Sequence, residues 1–460
     1  MTTKDAADTI AAISTPLGEA GIGIVRVSGP EAAGIARSLF RPRRPRPQLL
    51  SHHLYLGQIV APDSQEVIDE VLLTFMQGPR TYTREDVVEI HCHSGWGVLQ
   101  RLLELTLACG ARLARPGEFT LRAFLSGRID LTQAEAVLEV IKARTDAGVR
   151  VAAEHLQGHL GRELKEIRET LLDLLARVEA ALDFPEETAE VPATALAADL
   201  APPLEALEAL IASYREGRLL KEGLLVVIAG APNVGKSSLL NRLLAQERAI
   251  VTEIPGTTRD LVEEVITLGG VMVRFSDTAG LRPAQDQVEE LGIKRTRERL
   301  AQADLLLYLV DGSRPLTPEA RQDLEDIGER IGLAVINKVD LPQELNISDL
   351  QQSTSLPVIK ISALTGDGID DLKARIVDLT LMRGLNTTGK IVTQARHYRH
   401  LSRCRDCLHQ ARNLLTEGEA AWELVALELQ EAIRELGEIT GQEVGDDVLD
   451  RIFGEFCLGK

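Results

Sequence analysis

The chain has 460 residues, 44% hydrophobic and 26% charged, which allows about three domains at the usual ~150 residues each. The longest apolar runs fall far short of the ~20 residues of a membrane helix, and MTTKDAADTI at the start has no basic region followed by an apolar core. Five scattered cysteines make no disulfide scaffold, so a cytoplasmic protein with no membrane role is expected, and a formal charge of -18 requires any RNA contact to be local.

Residues 8 to 95 read as short β segments between turn signals: DTIAAIST, GIGIVRVSG, HLYLGQIVA, VLLTFMQGP and DVVEIHCHSG, with a helix around Pro30 to Phe40. This predicts a small α+β domain over 1–118. RPRRPRP after Phe40 alternates arginine with proline and reads as an extended, solvated surface loop rather than an RNA-contacting arm. From Glu118 to about Arg218, apolar residues at helical spacing, such as Leu171, Leu174, Leu175, Val178 and Leu182, predict long packed helices, interrupted at DFPEE and VPATA. Residues 222 to about 382 alternate buried-strand runs with helical patterns, the signature of a parallel α/β sheet. Helical texture returns after about Thr393. The expected divisions are 1–118, 119–221, 222–383 and 384–460, the α/β part lying between two helical parts.

GAPNVGKSS, Gly230 to Ser238, matches G-x-x-x-x-G-K-[ST], follows an apolar strand-like run and precedes a helical one. Its glycines let backbone N–H groups and the helix N-terminus face phosphate oxygens, Lys236 meets the β/γ charge, and the Ser237 hydroxyl suits Mg²⁺. DTAG, Asp277 to Gly280, ends the next strand, where the aspartate can hold the Mg²⁺ water shell and Gly280 N–H can reach the γ-phosphate. NKVD, Asn337 to Asp340, closes a third strand, and Asp340 can accept the exocyclic amine and ring N–H of guanine, which adenine cannot offer. SAL, Ser362 to Leu364, fits a backbone contact to the guanine oxygen.

This ordered set resembles the translation-factor-related GTPases, and GTTRD at Gly256 to Asp260 resembles their first switch, in which Thr258 would complete the Mg²⁺ shell. The GTP-contacting residues this implies are Asn233, Val234, Gly235, Lys236, Ser237 and Ser238; Thr252, Glu253, Ile254, Pro255, Gly256, Thr257 and Thr258; Asp277, Thr278, Ala279 and Gly280; Asn337, Lys338, Val339 and Asp340; and Ser362, Ala363 and Leu364. Ras places a water-orienting glutamine after DTAG, with an arginine finger in trans. Here Leu281 stands in that place and can do neither, so a carboxylate in QVEELG, Glu289 rather than Glu290, is the expected water-orienting group. A monovalent cation near Asn233 can replace the finger charge.

Taken with GIGIVRVSG, ARPGEFTLRAFLSGRIDLTQAEAV, IVTEIPGTTRD and the final FCLGK, the order of parts resembles the bacterial and organellar tRNA-modification GTPase family MnmE, also called TrmE, over essentially the whole chain. The resemblance implies a Ras-like P-loop GTPase domain inserted in a helical domain whose halves pack together. It implies an N-terminal domain that forms a homodimer and binds a 5-formyl-tetrahydrofolate-type cofactor, with contacts at Arg26, Glu89, Arg128 and Lys460. A pterin can bond bidentately to Glu89, and arginines suit the folate glutamate. Arg128 departs from the lysine expected in relatives, which keeps the charge but alters the hydrogen-bond geometry. A K⁺ site is implied at Asn233, Thr252, Ile254 and Thr257, formed where two GTPase domains meet. The implied task is modification at carbon 5 of the wobble uridine of certain tRNAs with the flavoprotein MnmG, giving an aminomethyl or carboxymethylaminomethyl group. Cys457, a thiol in a flexible tail near the expected folate site, is open to a chemical or a structural role.

Other constellations read as structural, with HCHSG as packing plus cofactor-side lining. Cys404 and Cys407 sit one helical turn apart with no second pair, and strand alternation in HCHSG sends His91 and His93 to one face and Cys92 to the other. The GTPase motifs alone also fit a regulatory or ribosome-assembly switch, or a scaffold that binds GTP without turnover. The N-terminal domain and FCLGK distinguish these, since a simple switch has no use for a folate pocket.

Overall fold

The computed structural model describes residues 8–18, 20–44, 48–183, 192–247, 264–277, 303–328, 330–381, 390–416 and 421–460. The alternating segments near the start form a seven-stranded sheet: β1 (Ile10–Ile13), β2 (Gly23–Ser28), β3 (Phe40–Pro42), β4 (His53–Val60), β5 (Val67–Met76), β6 (Val87–Cys92) and β7 (Arg112–Leu113), in the order β3-β4-β5-β6-β2-β1-β7. Because side chains alternate across a strand, Val25, Val27, Leu73, Val88 and Ile90 all point to one face, where they pack with helices α1 (Ala32–Leu39) and α2 (Trp96–Ala108). The register sets two rows on the other face: Leu56, Leu72, His91 and Ile24, and Leu54, Thr74, Glu89 and Arg26. Two expectations shift locally. The first helix starts at Ala32 rather than Pro30, and the arginine-proline loop begins with strand, since Arg41 and Pro42 belong to β3 at the sheet edge, where a proline costs no ladder bond.

Helices α3 (Glu118–Leu125), α4 (Leu131–Lys142), α5 (Asp146–Leu156), α6 (His159–Asp183), α7 (Ala193–Asp199) and α8 (Ala201–Glu222) follow. The α6 helix stops at Asp183, one residue before the DFPEE phenylalanine; most of the expected break, 184–191, lies outside the described residues. VPATA is not wholly a break: Pro192 is the N-cap of α7, with φ of -70° that suits a helix start.

The α/β part comprises β8 (Leu224–Ala229), α9 (Lys236–Glu247), β9 (Glu264–Leu268), β10 (Val271–Asp277), β11 (Leu305–Asp311), α10 (Pro318–Ile327), β12 (Gly332–Asn337), α11 (Ile347–Ser353), β13 (Val358–Lys360) and α12 (Ile369–Leu381). Its sheet runs β13-β12-β11-β8-β10-β9, parallel except where β9 pairs antiparallel with β10. The central strands β11 and β12 are buried almost throughout, as strands covered on both faces must be. Helices α13 (Ala395–Thr416), α14 (Trp422–Thr440) and α15 (Asp446–Gly454) complete the chain.

Two compact units result, one of Met1–Lys142, Ala152–Ile211 and Arg396–Lys460, the other of Ala143–Val151 and Ala212–Ala395. In the first, Glu135 of α4 accepts from both Arg396 (Nε at 3.1 Å, Nη2 at 3.0 Å) and lies 2.6 Å from His397 Nε2, joining helices far apart in sequence. Burial alone would push the Glu135 carboxyl up, but His397 and the Arg396 fork outweigh it and bring the group down to about 2. In the second unit, Val392 N–H donates to Ser213 Oγ at 3.0 Å, and a Cβ on Gly217 would come within 2.2 Å of Val392 O. Val151, Leu220 and Ile391 form a small core beside them.

Candidate functional site

The carboxyl ends of the parallel strands meet where the strand order reverses direction from β8, the place where open α/β sheets bind ligands. The loop after β8 requires its glycines. Gly230 has φ of 137° and a Cβ there would lie 2.3 Å from Leu309 O; Gly235 has φ of 101° and a Cβ there would lie 2.2 Å from Asn337 Nδ2. Asn233 also takes a positive φ of 63°, while Val234 anchors the loop in the core of the sheet. Helix α9 opens at Lys236, so its first-turn N–H groups and Ser237 and Ser238 stand at the loop. Lys236 Nζ donates to Gly230 O and Ala231 O, both at 2.8 Å, bending back over the cradle.

Asn337, 2% exposed, ties this loop to the base-side loop: its Nδ2 donates to Val234 O at 2.8 Å and its Oδ1 accepts from Ala363 N–H at 2.9 Å. Lys338 donates to Asn233 O at 2.9 Å and to Asp311 Oδ2 at 2.6 Å. Burial pushes the Asp311 carboxyl up, but the Lys338 ammonium and the Ser313 donors hold it below its ordinary value. Ser362 Oγ donates to Asp340 Oδ1 at 2.6 Å, steadying the carboxylate expected to read guanine. Arg242 donates to the carbonyls of Ala363 and Leu364 and fixes the SAL turn. The structure thus brings together Asn233 to Ser238, Asn337 to Asp340 and Ser362 to Leu364. Asp277 ends β10 with its backbone beside Ile228. Thr252 to Thr258, Thr278 to Gly280, Leu281 and Glu289 lie outside the described residues.

The N-terminal sheet carries a second polar site. On the face away from the helices, Arg26 Nε and Nη2 both lie 2.8 Å from Glu89 Oε1. The tail closes on this pair: Gly459, φ of 89°, lies where a Cβ would meet Ile13 O at 2.4 Å, and Arg26 Nη1 donates to Gly459 O at 3.1 Å. Phe119 N–H donates to Lys460 O at 3.2 Å, and Phe456 is buried against Phe453. The FCLGK segment is therefore docked rather than a free tail, because Phe456 and Gly459 each have a fitted seat. Cys457 itself is exposed. Burial, and then the Arg26 charge, lowers the Lys460 pKa, with Glu89 and Cys457 acting the other way, so all four groups share one field.

Helix α3 is held here by Glu118, 2% exposed, which pairs with Arg112 and with Arg122. That places Phe119 under the Arg26 guanidinium, 5.6 Å from the ring centroid. Arg128 lies over the Tyr82 ring at 5.1 Å. Arg26, Glu89 and Lys460 are brought together, and Arg128 joins them through Tyr82, whose phenol burial pushes up while the Thr120 hydroxyl and the charges of Arg128 and Arg26 pull it down. The arrangement differs from a free Glu89 carboxylate in that Arg26 already occupies Oε1. Two buried polar atoms beside it, Ser14 Oγ and His91 Nε2, have no hydrogen-bond partner, and Glu89 Oε2 is 3.5 Å from the latter. Orphaned donors and acceptors around a carboxylate suit a heterocycle rich in N–H and C=O groups.

Sequence reasoning missed Ser14, Tyr82 and Phe119, which reach the site from loops and a helix. His91 was legible, since it is two residues from Glu89 on the same strand. The remaining constellations are structural. Burial pushes the Cys404 and Cys407 thiols up, Cys407 to about 12, and Cys92 lies in the core. Among the described residues no group of His, Cys, Asp and Glu could hold a metal ion, and no helix is long and apolar enough to cross a membrane.

Two family profiles match the chain: the MnmE helical domain over residues 131–457 and the GTP-binding protein TrmE N-terminus over residues 9–128. The tRNA modification GTPase MnmE of Geobacter sulfurreducens is 48% identical over 457 residues, covering 98% of this chain and 99% of that one. Its namesake in Chloroflexus aurantiacus is 49% identical over 456 residues, covering 98% of this chain and 100% of that one.

Proposed function

The chain belongs to the tRNA modification GTPase MnmE family, and from that premise we propose a potassium-stimulated GTP hydrolase, activated by dimerisation of its α/β domain, that modifies carbon 5 of the wobble uridine in certain tRNAs with the flavoprotein MnmG. The observation that carries the GTPase part is the clamp of Asn337 between Val234 and Ala363, with Asp340 braced by Ser362. One bonded set positions a phosphate cradle and a guanine-reading carboxylate together.

In this reading the loop from Gly230 to Ser238 would receive the β-phosphate, Lys236 would turn from its own loop carbonyls to the β/γ oxygens, and Ser237 with Thr258 would hold Mg²⁺. The Mg²⁺ ion supplies charge neutralisation on those oxygens. Asn233, Thr252, Ile254 and Thr257 hold K⁺, which supplies the positive charge that an arginine finger brings elsewhere, and Glu289 orients the attacking water. Asp340 makes the site selective, since guanine alone presents two donors to it.

The N-terminal site fits a tetrahydrofolate. Among the described residues its buried Ser14 Oγ has no hydrogen-bond partner, His91 Nε2 has only Glu89 Oε2 at 3.5 Å, and Arg128 and Lys460 bring positive charge to the rim. The folate would supply the one-carbon unit, which ends in an aminomethyl or carboxymethylaminomethyl group on the base. Cys457 stands exposed at this rim and is open to either role. Homodimerisation through the N-terminal domain is supported by exposed apolar residues on the sheet face that carries the pocket: Leu54, Leu56 and Leu72 are 56%, 40% and 37% exposed. The division into 1–118, a helical domain over 119–221 and 384–460, and an inserted GTPase domain over 222–383 belongs to the same proposal, as does action in the cytoplasm.

The test is steady-state GTP hydrolysis with Mg²⁺ in matched KCl and NaCl, with the Asn233→Ala variant alongside. Potassium should accelerate the wild type strongly and the variant weakly. Equal rates in both salts would remove the potassium mechanism and leave a GTPase of another activation type.

A further inference from the structure

We infer that Tyr82 is a positioning residue that holds the Arg128 guanidinium for the glutamate end of the bound folate. The inference rests on the folate reading above and deepens it. Arg128 Cζ stands 5.1 Å over the Tyr82 ring, and Arg128 Nη1 donates to Tyr82 O at 3.3 Å, so ring and backbone of one residue fix the guanidinium plane. A lysine ammonium has no plane to lay on the ring and binds a carboxylate as a point charge rather than a fork.

Tyr82 is itself held from below. Its hydroxyl is 3.0 Å from Oγ1 of the fully buried Thr120, and its ring packs on the cluster that includes Phe119. Phe119 carries Arg26 in the same way, 5.6 Å above its ring. Two guanidinium groups therefore stand on one aromatic floor, supplied by the loop before β6 and by helix α3. Arg26 is spent on Glu89 and Gly459, whereas Arg128 is exposed and, with Nη1 on Tyr82 O, donates to no carboxylate among the described residues. A folate offers a pterin to the Glu89 side and, at its other end, a glutamate with two carboxylates. Arg128 is the group arranged to receive one of them.

The experiment measures binding of 5-formyl-tetrahydrofolate, and of a tetrahydropterin lacking the aminobenzoyl-glutamate tail, to the full-length wild type, Tyr82→Leu, Tyr82→Phe, Arg128→Gln and the Tyr82→Leu/Arg128→Gln double variant. Tyr82→Leu should weaken 5-formyl-tetrahydrofolate roughly two- to fivefold and leave the tail-less pterin unchanged, and Tyr82→Phe, which keeps the ring, should stay close to wild type. The double variant should bind no worse than Arg128→Gln alone. Equal weakening of both ligands, equal loss in Tyr82→Leu and Tyr82→Phe, or additive loss in the double variant would overturn the inference. Failure of the wild type to bind either ligand would instead overturn the folate reading itself.

Discussion

Replacing Asn337 with alanine should damage nucleotide binding far more than the loss of one polar side chain implies. The amide is 2% exposed and serves two loops, so its removal leaves Val234 O and Ala363 N–H without their partner inside the fold. Leaving a buried group unsatisfied costs about 1–3 kcal/mol, so two such groups amount to roughly 2–6 kcal/mol. The loops relax toward water and recover part of that. About 2–4 kcal/mol remaining on the bound state corresponds to an affinity loss on the order of 30- to 1000-fold. Fluorescence titration with ribose-labelled GTP and GDP measures it directly. Both nucleotides should weaken together, because the clamp joins the phosphate cradle to the base side rather than touching the γ-phosphate. Gly235→Ala acts on the same amide, since its Cβ would lie 2.2 Å from Asn337 Nδ2, so the two substitutions should combine less than additively. Binding within about threefold of wild type, or a loss confined to GTP, would refute this account.

Glu289→Ala should retain GTP affinity and lose most turnover in a phosphate-release assay; unchanged turnover would sink the assignment of the water-orienting group. Glu135→Gln should lower thermal stability by about 2 kcal/mol by removing the charge that the Arg396 fork donates to, while Arg396 keeps its bonds to Glu438 O and Ile439 O. The Glu135 carboxyl is brought down to about 2 in the fold from an ordinary 4.5, so its contribution is whole above 4.5 and is lost as pH falls from there. Melting temperature against pH should therefore fall less steeply in the variant below 4.5 than in the wild type. Parallel curves would show that the acid loss comes from other groups.

The nucleotide site was legible because its chemistry is local. A turn that needs positive φ at Gly230 and Gly235 must be written with glycine, and the strand before it must be apolar on both faces. The asparagine of NKVD was visible as a motif, but its work as a clamp between two loops was not, since both of its partners are backbone groups more than twenty residues away. The N-terminal site was far less legible. Arg26 and Glu89 face each other only through the pairing of β2 with β6, and Tyr82 and Phe119 come from a loop and a helix that no periodicity joins. The docking of FCLGK depends on shape, with Gly459 passing where any side chain would strike Ile13 O. Apolar spacing foresaw the long helices well, as the buried stripe of α6 from Leu160 to Val178 shows. It could not foresee the short edge strands β3 and β7, which owe their existence to a neighbouring strand.

The bond between Val392 and Ser213, with Gly217 against Val392 O, has a mechanical meaning. The polypeptide leading into the α/β part and the polypeptide leading out of it are stitched side by side. Residues 212 and 395 bound a segment of one compact unit, so the stitch draws that segment's own ends together and closes a loop whose entropic cost rises only with the logarithm of its length. A residue larger than glycine at 217 would pry the two segments apart, since its Cβ would lie 2.2 Å from Val392 O.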